Sequence, residues 1–163
     1  MLTHHRRPVC LSLVSTDLPL WSVIETAATL YQKDQERFHL LLTEPPIQDW
    51  EPNAADPVGQ AGKSTPPPRL LWLEISPYRV IMTMQGNGKL SYRHFWEQGL
   101  YSISRYWLQS EQSTQSGQLH LRNFTRSLIL KGKPLPEYLR VEYELWSEKV
   151  QLGRYVLSVE IEQ

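Results

Sequence analysis

The chain has one cysteine, Cys10, in 163 residues, so it cannot staple itself with an internal disulfide. That fits a reducing compartment, and the ordinary role of such a residue is that of a small buried hydrophobe. Neither sign of charge is in excess: seventeen basic side chains face seventeen acidic ones. A nucleic-acid binder usually carries a basic excess that displaces counterions, so the balance argues against that class. No apolar run approaches the roughly 20 residues of a membrane-spanning helix. The basic start His4-His5-Arg6-Arg7 is followed only by a short apolar run, Val9 to Val14, broken by Ser12 and without a small-residue cleavage pattern. A secretory signal is therefore not expected, and the chain is expected in the cytoplasm.

Chemistry-bearing motifs are equally scarce. Gly62-Lys63-Ser64 resembles the end of a phosphate-binding loop, but Pro57 stands where that loop needs glycine, and Pro66-Pro67-Pro68 follows where it needs a helix. Such a segment cannot turn its amides toward a phosphate. The five histidines, at 4, 5, 39, 94 and 120, form no H-x-x-x-H pair. With one cysteine, a zinc site is not expected, and no G-x-S-x-G, H-E-x-x-H or G-x-G-x-x-G stretch is present. The glutamates at 142, 144, 160 and 162 alternate with apolar residues, as solvent-side charges on strands do. The composition calls for no cofactor and leans away from an enzyme.

What the chain does have is β patterning. Leu139, Val141, Tyr143 and Leu145 alternate with Arg140, Glu142 and Glu144; Tyr155, Leu157, Val159 and Ile161 alternate with Ser158 and Glu160. Period two is the signature of a sheet with one buried face. Val150 and Leu152 are apolar at even positions and Tyr155 to Ile161 at odd ones, so a bulge is expected near Gly153-Arg154. With a turn at Glu148-Lys149, Tyr143 then faces Tyr155, Val141 faces Leu157, Leu139 faces Val159, and Leu145 faces Leu152.

From Leu70 onward strands run almost unbroken. Ser76-Pro77 is too poor a two-residue turn to join Leu71–Ile75 to Tyr78–Met84, so a wider loop or a cis bond is expected there. A three-residue loop at Gly86-Asn87-Gly88 sets Met84 against Leu90 and Met82 against Tyr92 and keeps one apolar face. Residues 100–109 fit strand or helix and are read as strand, with Gly99 as a bulge or corner; Gln118 to Leu130 reads as one long strand.

At the N-terminus Val9, Leu11 and Leu13 suggest an edge strand. Thr16-Asp17 before Pro19 looks like a helix start, and Leu20, Ile24, Ala27, Ala28 and Tyr31 recur at spacings of three and four, which predicts a helix over 20–33. Arg37 to Thr43 fits either a strand or a continuation of that helix. Residues 44–68, rich in proline and poor in large apolar side chains, read as a mobile loop inside a single domain spanning 1–163. The expected class is α+β: an N-terminal helix packed on a strongly curved antiparallel meander of about six to eight strands, which could close into a small barrel.

The candidate site is an aromatic and basic cluster: Tyr92, His94, Trp96, Arg105, Trp107, His120, Arg122 and Arg126. Guanidinium groups beside rings can hold planar or anionic groups by stacking and paired hydrogen bonds. The competing explanation is that the rings pack and the arginines are solvated cross-strand neighbours. Two functions follow. The first is a non-enzymatic interaction, assembly or regulatory factor that holds a protein partner through exposed aromatics. The second is a calycin-like binding protein, or lyase-type chaperone, for a bulky hydrophobic or anionic ligand such as a pigment or lipid, with the Arg/His/aromatic face lining its pocket.

Overall fold

The computed structural model describes residues 3–44, 69–86, 90–108 and 117–163. Every regular element among them is a strand. In chain order these are β1 (Thr3–Ser15), β2 (Trp21–Gln32), β3 (Phe38–Glu44), β4 (Arg69–Ile75) and β5 (Arg79–Gln85), then β6 (Leu90–Glu97), β7 (Tyr101–Leu108), β8 (Gly117–Lys131), β9 (Tyr138–Ser147) and β10 (Val150–Ile161). Each pairs antiparallel with its chain neighbours, and β1 closes the ring on β10 from Val9↔Ile161 to Ser15↔Tyr155. The architecture is a closed ten-stranded up-and-down barrel.

This overturns the α+β class and its N-terminal helix. The 20–33 segment is β2, paired with β1 from Thr3↔Gln32 to Val14↔Trp21 and with β3 from Ala28↔Leu42 to Gln32↔Phe38. The spacing that suggested a helix leaned on Ala27 and Ala28, which are small enough to suit either element. The β-branched and aromatic residues Trp21, Val23, Ile24, Thr26 and Thr29 favour the pleated form. Even-numbered Ala28 and Leu30 point inward and are buried, while odd-numbered Trp21, Val23, Glu25 and Ala27 are exposed. The helix-cap residues instead build the β1–β2 turn: Ser15 Oγ donates to Asp17 (2.9 Å) and accepts from the Leu18 amide (3.0 Å). Asp17 reaches across to accept the Arg154 amide at 3.2 Å. β1 is not an edge strand, since it pairs on both sides; Arg37–Thr43 resolves as β3.

Other expectations come closer. The turn after Ile75 is wider than two residues, with Ile75 opposite Val80. The β5–β6 ladder keeps the expected face but slides by two residues, setting Met84 against Tyr92 and Met82 against His94; residues 87–89 lie outside the described set. In the closing hairpin Tyr143↔Tyr155, Val141↔Leu157 and Leu139↔Val159 pair as expected. The irregularity falls between Gln151 and Gly153, so Gly153, not Leu152, opposes Leu145. A second irregularity lies between Thr125 and Ser127 in β8. Gly99, at φ +73°, turns the corner between β6 and β7, and residues 101–108 are strand. The proline-rich 45–68 stretch lies outside the described residues.

The core is the barrel interior. Leu11, Leu30, Leu40, Leu73, Met84, Leu139, Val141 and Leu157, each buried, converge from seven strands on one apolar body. Fully burying one such side chain contributes about 1.5–3 kcal/mol. An apolar interior with charged residues outside reverses the arrangement of a bilayer-spanning barrel.

Candidate functional site

Strands β6 to β10 put polar and aromatic groups on the inner wall where β1 to β5 put mostly aliphatic ones. On β6 the even positions Tyr92, His94 and Trp96 face inward; β7 contributes Ser104 and Tyr106, β8 Asn123 and Thr125, β9 Tyr143 and β10 Tyr155. The register brings them together, with His94 opposite Ser104 and Tyr143 between Thr125 and Tyr155.

His94, Ser104 and Asn123 form a buried chain. His94 Nδ1 lies 2.7 Å from Ser104 Oγ, and Asn123 Nδ2 donates to that same oxygen at 2.8 Å. Because Ser104 Oγ accepts from Asn123, its own proton is free for His94 Nδ1. The consistent tautomer of His94 then carries its hydrogen on Nε2, which faces the Tyr106 hydroxyl at 3.4 Å. The imidazole stacks on the Trp96 indole, with centroids 4.9 Å apart and planes 8° from parallel. Tyr143 packs on Trp96 at 4.8 Å and on Tyr155 at 5.5 Å.

The wall is uncharged. Burial pushes the His94 pKa down to about 3, so the ring is neutral. Burial, and then Tyr155 nearby, pushes Tyr106 up to about 12. Tyr143 is raised well above the usual phenol value, first by burial and then by the neighbouring Tyr106, Tyr92 and Tyr155.

The wall is also incompletely satisfied. Trp96 Nε1, Asn123 Oδ1 and Thr125 Oγ1 are each buried with no hydrogen-bond partner among the described residues, on residues with no exposed surface at all. Leaving a buried donor or acceptor unpaired costs about 1–3 kcal/mol each. Orphaned groups are rare in native interiors and call for an occupant, either water or ligand. At the barrel end where Val80 pairs with Trp96, the turns holding Pro77, Tyr78, Lys133 and Pro134 frame an open cavity that Phe38 and Leu130 also line.

The eight residues singled out in the sequence divide between two faces. Tyr92, His94 and Trp96 line the interior. Arg105, Trp107, His120, Arg122 and Arg126 lie on the outer wall. Arg122 donates to the Glu148 carbonyl (3.0 Å) and sits 5.2 Å over the Tyr101 ring. Arg126 reaches Glu144 at 3.5 Å. The arginines therefore do not line the barrel interior. Sequence reading missed Ser104, Tyr106, Asn123, Thr125, Tyr143 and Tyr155 as site residues. Their signal was polar side chains at core-parity positions: Asn123 and Thr125 continue the inward series begun by Leu121.

No family model matches the chain, and no curated protein does. Among solved structures, one match is the crystal structure of the ywiB protein from Bacillus subtilis. The two chains share 14% identity with a TM-score of 0.57, over 99% of this chain and 94% of that one. In fold, the chain resembles ywiB. At this identity the likeness extends to the barrel and carries no site residues across.

Proposed function

We propose that this chain is a non-enzymatic binding protein whose barrel interior receives a small, flat, uncharged ligand against the β6–β10 wall. The observation that supports this reading is the group of three buried, unpartnered polar atoms on that wall: one N–H donor on Trp96, one acceptor on Asn123 and one hydroxyl on Thr125. A ligand with an acceptor for the indole and a donor for the amide oxygen would offset their desolvation. The rings of Tyr92, Trp96, Tyr106, Tyr143 and Tyr155 supply stacking surface. Since His94 is held neutral and the arginines face outward, an anionic ligand finds no charge partner within this wall. That favours the hydrophobic, hydrogen-bonding version of the ligand-carrier reading over the anionic one.

The test is organic extraction of gently purified protein with mass spectrometry of the extract, on wild type and on Asn123→Leu. The expected result is a small uncharged aromatic or polyene compound near stoichiometric amounts in wild type and depleted in the variant. A high-resolution crystal structure with only water on Trp96 Nε1, Asn123 Oδ1 and Thr125 Oγ1, together with a ligand-free extract, would overturn the proposal.

A further inference from the structure

Outside the barrel, β6, β7 and β8 carry a row of arginines with a histidine among them. Arg93 pairs with Arg105 across the β6–β7 ladder, Arg105 pairs with His120 across β7–β8, and Arg122 sits one step along, opposite Ile103. Adjacent strands lie about 4.8 Å apart, so these side chains crowd one strip of surface. Like charges directly opposite each other destabilise a sheet. Only part of this crowding is relieved within the chain. Arg93 comes within 3.8 Å of Glu74, and Arg122 is occupied by the Glu148 carbonyl and the Tyr101 ring. Arg105 has no ion pair or hydrogen bond among the described residues. Beside the cations stand apolar groups turned to solvent, Tyr101 at 58% and Ile103 at 45% exposure.

We infer that this strip is a docking surface for a short acidic segment of a protein partner, with carboxylates on Arg105 and its neighbours and apolar side chains on Tyr101 and Ile103. Charge complementarity selects the occupant. Arginine forks fit carboxylates bidentately, and the chain's overall neutrality leaves the patch without a reinforcing global field. Three guanidinium groups, one already near a glutamate, release too few counterions for tight binding to a nucleic-acid backbone. Recognition must also run through side chains, because a closed barrel offers no sheet edge for a partner strand to join. This surface is independent of the interior site.

The experiment is fluorescence anisotropy on the full chain with a labelled peptide of about 12 residues alternating glutamate and leucine, and with an oligothymidine strand of about the same length as competitor class. The expected result is saturable peptide binding that weakens about ten-fold between roughly 50 and 500 mM salt, as screening requires. Arg105→Glu should weaken it at least about five-fold and Arg122→Gln by a smaller factor, while Arg6→Glu on β1 leaves it unchanged. Circular dichroism confirms that each variant is folded. Absence of saturable peptide binding, an affinity indifferent to Arg105→Glu, or tighter binding of the oligothymidine would each overturn the inference.

Discussion

His94 makes the barrel acid-sensitive in a way that can be worked out in advance. In the folded chain its pKa is lowered to about 3 by burial, whereas the unfolded chain returns it to the ordinary histidine value of 6.5. Below that value the unfolded state takes up a proton that the native state refuses. The stability associated with neutral His94 is therefore complete above about pH 6.5 and declines as pH falls, until the folded pKa is reached. The slope is about 1.36 kcal/mol per pH unit, so lowering the pH from about 6.5 to about 4.5 removes on the order of 2–3 kcal/mol. Against a typical total of about 5–15 kcal/mol, that is enough to move an unfolding midpoint clearly.

Other groups titrate in the same interval, so the measurement must isolate this one. Burial also lowers the pKa of His39, and backbone and side-chain hydrogen bonds lower those of Asp17 and Asp34. A His94→Phe variant keeps a ring stacked on Trp96 and leaves those groups in place. Urea unfolding followed by circular dichroism at several pH values gives the stability of each protein, and their difference cancels the shared titrations. Wild type should lose about 2–3 kcal/mol more than His94→Phe between about pH 7 and pH 4.5. A difference that stays flat within about 0.5 kcal/mol would refute the claim that His94 is held neutral inside the barrel.

Further outcomes follow from other positions. Thr125→Val removes a buried hydroxyl that has no partner among the described residues, so in the ligand-free protein it should be neutral or raise stability by up to about 1–2 kcal/mol in chemical denaturation, while weakening ligand retention. Trp96→Ala should cost about 3–5 kcal/mol, because the indole has no exposed surface and packs against His94 and Tyr143. Gly132→Ala should destabilise by at least about 2 kcal/mol in the same assay, since φ is +115° and a Cβ would meet the Glu137 nitrogen at 2.5 Å and the Leu135 oxygen at 2.7 Å. In a spectrophotometric alkaline titration, Tyr106 should ionise near pH 12 and Tyr143 well above the ordinary phenol range.

Legibility in the sequence was uneven for physical reasons. Strands with large apolar residues at every second position, such as 139–145 and 155–161, can be read down to their partners because a one-residue slip would turn the whole core outward. The bulge before Gly153 showed itself as a parity change. β2 was misread because Ala27 and Ala28 carry little information and Ile24 and Tyr31 happen to match a helical period. The two-residue slide at β5–β6 preserves every inward residue, so alternation cannot detect it. Closure of the ring depends on contacts between Val9–Ser15 and Tyr155–Ile161, the most distant pairing in the chain, which no local pattern records. The site was half legible for the same reason. Aromatic and basic residues announced a cluster, but its division into two faces needed the register.

That division decides how the two proposed sites relate. Along β7 the chain reads Ser104 inward, Arg105 outward, Tyr106 inward and Trp107 outward, and neighbouring strands repeat the alternation in step. The interior thus collects the neutral hydrogen-bonding groups and the exterior collects the guanidinium groups, although each set is one residue from the other in sequence. Charge on the outer wall is solvated and screened within about 8–10 Å, so exchanging Arg105 should not alter the protonation of His94. Conversely, filling the interior changes packing on the inner face of strands whose outer side chains stay in water. The effect of Arg105→Glu on peptide affinity should therefore be the same in the wild-type and Thr125→Val backgrounds, within about 0.5 kcal/mol in a double-mutant cycle. A larger coupling would mean that ligand in the barrel reshapes β7, and the two faces would then have to be treated as one site.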